Sequence, residues 1–229
     1  MWKEAEEFLA KDKYIAPLIT KYGHCTLKPR RKKYYFEDLV DAIVQQQLSM
    51  KAASAIFNRV KETIYRNYEL GIMNYGKTKK RKTFGDKEHK WRVGATKNVE
   101  ITPEKILTLT NEELRTCGLS RAKIVYVKDL SEKVISGQLE ILDLDKLPDK
   151  AIIEELTEVK GIGEWTAQMF LMFTLARPDI FPVGDLGLRN AFDRAVKKGL
   201  NREEMEKSAL RWKPYRTIAS WYIWKTLEN

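Results

Sequence analysis

Apolar residues recur at three- and four-residue spacings along most of the chain, with polar residues between them. That is the period of helices that bury one face. Trp2, Ala5, Phe8 and Leu9 mark a short helix over 2–10, and Pro17 suits the first turn of a second short helix. Phe36, Leu39, Val40, Ile43 and Val44 carry the next stripe, and Ala52, Ala53, Ile56, Phe57 and Val60 another over 49–66, with Ser49 as its cap. Thr102-Pro103-Glu104 reads as a cap followed by proline at the first helical position. Thr110-Asn111-Glu112-Glu113 opens a helix that ends before Gly118, and further helices are predicted over 120–136, 149–159 and 186–198. Around Trp221 and Ile223 the C-terminal segment is apolar all round, so part of it must be core. There is no convincing alternating strand or tandem repeat, and no run nears the roughly 18 apolar residues that span a bilayer. The predicted fold class is all-α.

Residues 71–99 break the pattern. They hold nine Lys or Arg against Asp86 and Glu88, which is most of the chain's net charge of +10. An excess of this size favours a polyanionic partner, nucleic acid or an anionic membrane surface, although charge alone also fits general solubility. Within the segment, Lys77, Lys79, Lys80, Arg81 and Lys82 are dense enough to meet several phosphates, and a solvated loop is the competing reading. The first residues, Met1 to Glu7, are acidic and amphipathic, unlike a secretory leader. Two cysteines, Cys25 and Cys117, are too few for a disulfide framework or a four-cysteine iron–sulfur cluster, which points to a reducing, cytoplasmic setting.

The densest local pattern is Leu156-Thr157-Glu158-Val159-Lys160-Gly161-Ile162-Gly163-Glu164-Trp165-Thr166-Ala167. A helix ends near Val159 and another begins after two glycines flanking an isoleucine. Gly161 and Gly163 permit positive φ and leave backbone N–H groups bare at a helix N-terminus, where an anion is favoured. Ile162 can plug the gap between the helices. Such a hairpin grips a phosphate without reading sequence; a plain tight turn is the alternative.

About twenty residues later comes Phe181-Pro182-Val183-Gly184-Asp185-Leu186-Gly187-Leu188-Arg189. Upstream stands Gln45-Gln46-Gln47-Leu48-Ser49, and near the end Trp212-Lys213-Pro214-Tyr215-Arg216 and Trp224. In this order the motifs resemble the helix-hairpin-helix (HhH-GPD) superfamily of DNA glycosylases, and within it the 3-methyladenine DNA glycosylase II branch. The likeness covers about 36–70 and 100–226, with 71–99 as a basic insertion and without the β-rich N-terminal domain of some bacterial members.

The resemblance implies a two-lobed helical fold. Residues 36–165 would form a bundle carrying the hairpin, and 1–35 plus 166–229 a second lobe, with a cleft between them in one compact enzyme unit. It makes Asp185 the catalytic carboxylate, although Asp before a helix is also an ordinary N-cap, and both roles can coexist. Glycosylases that also cut the backbone carry a lysine where this chain has Trp165, so a monofunctional, water-using enzyme is implied. Trp165 and Trp224 match the base pocket and Tyr222 is a further candidate, with core packing as the alternative for each. Electron-rich rings suit a purine made cationic by alkylation. Gln47 matches the side chain that wedges into the duplex when a base is flipped; Leu48 or Met50 could share that role, and Gln45 and Gln46 are expected to be structural.

The implied function is base-excision repair: hydrolysis of the N-glycosidic bond of alkylated purines of the 3-methyladenine and 7-methylguanine type after base flipping. A different damaged base, or a catalytically silent DNA-binding relative, are the rivals. The expected partner is double-stranded DNA containing damaged bases, with no membrane, and the protein is expected to act as a monomer. The chemistry requires no metal and no organic cofactor. The expected location is cytoplasmic with the nucleoid, or nuclear in a eukaryote.

Overall fold

The computed structural model describes residues 1–75 and 99–228. Helices dominate, and no strand occurs among the described residues. In chain order they are α1 Lys3–Leu9, α2 Ala16–Tyr22, α3 Tyr35–Gln45, α4 Met50–Tyr75, α5 Pro103–Thr108, α6 Asn111–Cys117, α7 Arg121–Ile135, α8 Asp149–Thr157, α9 Glu164–Met169, α10 Leu186–Ala195, α11 Arg202–Ala209 and α12 Arg216–Lys225. A π-helical turn, Phe170–Thr174, continues α9.

Local chemistry sets most boundaries. Thr102 accepts from Lys105 N–H ahead of Pro103. Thr110 and Glu113 form a reciprocal capping box, which satisfies two donors that a helix start otherwise leaves open. Asn201 and Glu204 form a second such box at α11, Ser120 caps α7 by accepting from Lys123 N–H, and Ser49 accepts from Ala52 N–H at the start of α4. That helix runs on to Tyr75, where the glycine and basic residues predicted a break from 71. The remainder of the basic insertion, 76–98, lies outside the described residues.

The chain divides into two compact units. One comprises Phe36–Ile141 with Val159–Gly161. Its helices α3 to α7 bury Leu39, Val40, Ile43, Val44, Val60, Ile106, Leu114, Val127 and Leu130. Glu37, itself buried, accepts from Lys61 Nζ at 2.6 Å and Ile101 N–H at 3.2 Å, so its burial leaves no unpaired charge.

The other unit gathers Met1–Tyr35, Leu142–Glu158 and Ile162–Asn229. Residues 142–158 and 162–165 group here, not with the bundle where the sequence put them, because α8 packs on α9. Helix α12 is the centre: Thr217 to Ile223 are buried in unbroken succession, with the Thr217 and Ser220 hydroxyls satisfied by backbone groups, and α1, α2 and α10 pack around it. Phe181, Phe192 and Trp212 close the core as a mutually tilted triad with centroids 5.8–6.3 Å apart.

Two tethers fix the loop that leads into α10. Arg216, at the start of α12, holds Asp179 with Nε to Oδ1 at 2.7 Å and Nη2 to Oδ2 at 2.9 Å. Thr217 Oγ1 accepts from Ile180 N–H at 2.9 Å. The Phe181–Asp185 segment is thereby held onto the core helix.

Candidate active site

Asp185 is the N-cap of α10, its Oδ1 accepting from Leu188 N–H. It does more than cap. Trp165 Nε1 donates to Oδ2 at 3.0 Å and Trp224 Nε1 donates to Oδ1 at 3.1 Å. Three N–H donors from α9, α10 and α12 therefore converge on one half-buried carboxylate and fix its plane. Gly187 leaves room for this arrangement. A Cβ there would lie 3.0 Å from Asp185 Oδ1 and 3.5 Å from Trp224 Nε1, against the hydrogen bond itself.

The rings that deliver these donors stay accessible. Trp165 is 38% exposed, and Trp224 is partly buried. Phe173 joins them. It is the exposed ring in the otherwise buried π turn, at 42%, and its centroid stands 5.8 Å from that of Trp224. A π turn adds a residue to the helical register and is frequent at functional sites.

In the hairpin, Ile162 is buried at the turn between α8 and α9. Gly161 has φ +79°, and a Cβ there would fall 2.1 Å from the Tyr126 ring, so glycine is required twice over. Gly163 departs from expectation: its φ is −96°, extended backbone open to any residue, and it serves as the N-cap of α9. Lys160 is engaged by Asp129, which accepts from its backbone N–H and, at 2.9 Å, from Nζ. The hydrogen bond and charge of Asp129 push the Lys160 ammonium pKa above its ordinary value.

The glutamines separate by role. Gln45 donates to Asp41 and Gln46 donates to Gly161 O, both structural bonds. Gln47 makes neither kind of contact: it is exposed, with φ +58° in the left-handed region that side chains seldom occupy. Leu48 and Met50 beside it are also exposed, Met50 at 83%.

Residues 40–214 match the model of the HhH-GPD superfamily base excision DNA repair protein. The chain belongs to this superfamily. DNA-3-methyladenine glycosylase 1 of Schizosaccharomyces pombe is 35% identical over 199 residues, which is 85% of this chain and 73% of the relative. The solved structure of the 3-methyladenine DNA glycosylase of the same yeast in complex with abasic DNA superimposes with a TM-score of 0.76 at 31% identity, covering 99% of this chain and 98% of that one. A DNA-3-methyladenine glycosidase of Bacillus halodurans gives a TM-score of 0.72 at 32% identity over 97% and 88% of the two chains.

In this HhH-GPD chain one proposed pocket residue sits otherwise than sequence reasoning placed it, and one ring beside the site was passed over. Tyr222 is no pocket residue: it is 0% exposed, and its hydroxyl lies 2.9 Å from both Glu6 Oε1 and Gly23 O. It stands two positions before Trp224, about 200° around the helix, so one faces the core when the other faces Asp185. Phe173 was missed because the run Phe170 to Phe173 is apolar throughout and shows no period. The available signal was its distance of eight residues from Trp165, close to two helical turns.

Proposed function

We infer that this chain is a monofunctional DNA glycosylase that hydrolyses the N-glycosidic bond of alkylated purines in double-stranded DNA. The observation that carries the reading is the pair of indole N–H groups on the two oxygens of Asp185, which brings a fixed carboxylate and two electron-rich rings together. Breaking an N-glycosidic bond builds positive charge on the sugar, as in other oxocarbenium-like transition states. A carboxylate already oriented by three donors stabilises that charge without reorganising, and it can hold the attacking water. Trp165, Trp224 and Phe173 offer faces to a base that alkylation has made cationic; such contacts are worth roughly 0.5–2 kcal/mol each. The same cationic base is the better leaving group, so little help at the leaving nitrogen is required.

Outside the site, the hairpin grips the backbone and Gln47, with Leu48 and Met50, fills the gap of the flipped nucleotide. A Schiff-base mechanism needs a neutral lysine at the sugar. Position 165, where such a lysine would stand, is tryptophan. The enzyme acts as a monomer in whichever compartment holds the DNA; no helix among the described residues is long and apolar enough to cross a membrane.

The test is release of free base from methylated duplex DNA, resolved by chromatography. The wild type releases 3-methyladenine or 7-methylguanine. Asp185→Asn releases none, yet still binds abasic duplex, because shape persists while the charge is gone. Activity of Asp185→Asn within a few-fold of the wild type would remove Asp185 from the chemistry.

A further inference from the structure

Helix α7 carries Lys123, Tyr126 and Asp129 at three-residue spacing, a single stripe along one side. Each member holds a different part of the DNA-facing apparatus. Lys123 Nζ donates to Val44 O at 2.8 Å and to Gln46 O at 2.6 Å. These are carbonyls at the end of α3, where the last turn lacks internal partners and the helix dipole is negative. Tyr126 lies against the bare Cα of Gly161, and Asp129 takes both the backbone N–H and the ammonium of Lys160. Gln46 closes the circuit by donating through Nε2 to Gly161 O at 2.8 Å. The residue between Gln46 and Leu48 is Gln47, in its left-handed conformation.

We propose that this stripe is a splint: Lys123 is a positioning residue that fixes the Gln47 turn against the phosphate-binding hairpin, so that gripping the backbone and wedging the gap occur in register. The proposal rests on the glycosylase reading above. The cation is suited to the task. Two carbonyl oxygens at the open end of α3 receive it, at 2.8 and 2.6 Å, so one ammonium satisfies acceptors that the helix itself leaves unpaired. The chain needs such a lock because φ +58° at Gln47 is strained for a side chain bearing Cβ and persists only when its surroundings hold it. Lys123 touches no reacting group; its influence falls on base flipping and not on bond cleavage.

The two steps can be separated by substrate. A lesion in a fully paired duplex must be unstacked and unpaired, whereas a lesion opposite an abasic site has little pairing left to lose. We expect Lys123→Met to slow single-turnover base release roughly tenfold on the paired substrate and less than about twofold opposite the abasic site. Lys123→Arg, which keeps donors and charge, restores most of the paired rate. Gln46→Met gives the same selective defect through the other end of the link, and serves if Lys123→Met does not fold. The ratio of the two rates within one preparation is independent of how much protein is active. Equal losses on both substrates, or wild-type rates on both, overturn the splint while wild-type activity, and with it the proposed function, stands. No base release by the wild type on either substrate is the separate failure of that function.

Discussion

At the scale of single residues, two carboxylates show how the same group is put to opposite uses. Asp185 has its donors arranged around an accessible carboxylate, and Gly187 gives up a side chain so that Trp224 can reach it. Glu6 is buried and serves stability. Burial works against its ionisation, but N–H of Cys25, the His24 ring and the Tyr222 hydroxyl outweigh it and hold the carboxyl below its ordinary value of 4.5. The same neighbourhood, through burial and the Glu6 charge, pushes the Cys25 thiol up to about 11. A carboxylate depressed in the folded state stabilises it above the unfolded value and loses that contribution as pH falls through the folded one. Glu6→Gln should therefore cost about 2 kcal/mol at pH 7, with the gap to the wild type closing as the pH drops below 4.5. Thermal melts across that range check it, and a gap that widens on acidification would contradict the assignment.

Among the elements, the hairpin shows why two glycines in one motif are not equivalent. Gly161 combines positive φ with a neighbour at 2.1 Å, whereas Gly163 has extended backbone and nothing within 4 Å of a Cβ. Gly161→Ala should cost roughly 1–3 kcal/mol in stability, and should weaken binding to every DNA sequence alike if the hairpin contacts phosphates as proposed. Gly163→Ala should leave stability within about 0.5 kcal/mol of the wild type. Chemical denaturation with binding to two unrelated duplexes distinguishes them; equal destabilisation by both would deny the asymmetry. The π turn after α9 is the second element whose irregularity matters, since it carries Phe173 out of a buried run toward Trp224.

For the whole molecule, charge governs encounter. Of the net +10, the segment 71–99 supplies nine positive residues against two negative. Each phosphate neutralised releases counterions, so affinity for duplex DNA should fall steeply with salt. Neutralising Lys77, Lys79, Lys80, Arg81 and Lys82 together should lower affinity and reduce the slope of log affinity against log salt by roughly one unit per lost contact. Cleavage of bound substrate should hardly change, because Asp185 and the indoles lie elsewhere in the chain. An unchanged slope would leave the grip on DNA to the hairpin.

Periodicity and capping chemistry are local properties, so most of the helices, the starts at Thr102, Thr110 and Ser120, and the turn at Gly161 could be read from the sequence, whereas α11 with its Asn201 cap was passed over. So could tryptophan at position 165, where, on the resemblance, glycosylases that also cut the backbone carry a lysine. Partnership across the chain has no local trace. That Trp165 and Trp224 meet on one carboxylate depends on how α9 and α12 pack. Tyr222 faces inward because rotation along a helix separates it from Trp224. The bond from Lys123 to Gln46 spans 77 residues and exists only because α7 lies beside the end of α3. Such contacts are fixed by the packing of a common core, which the pattern of any one segment does not contain.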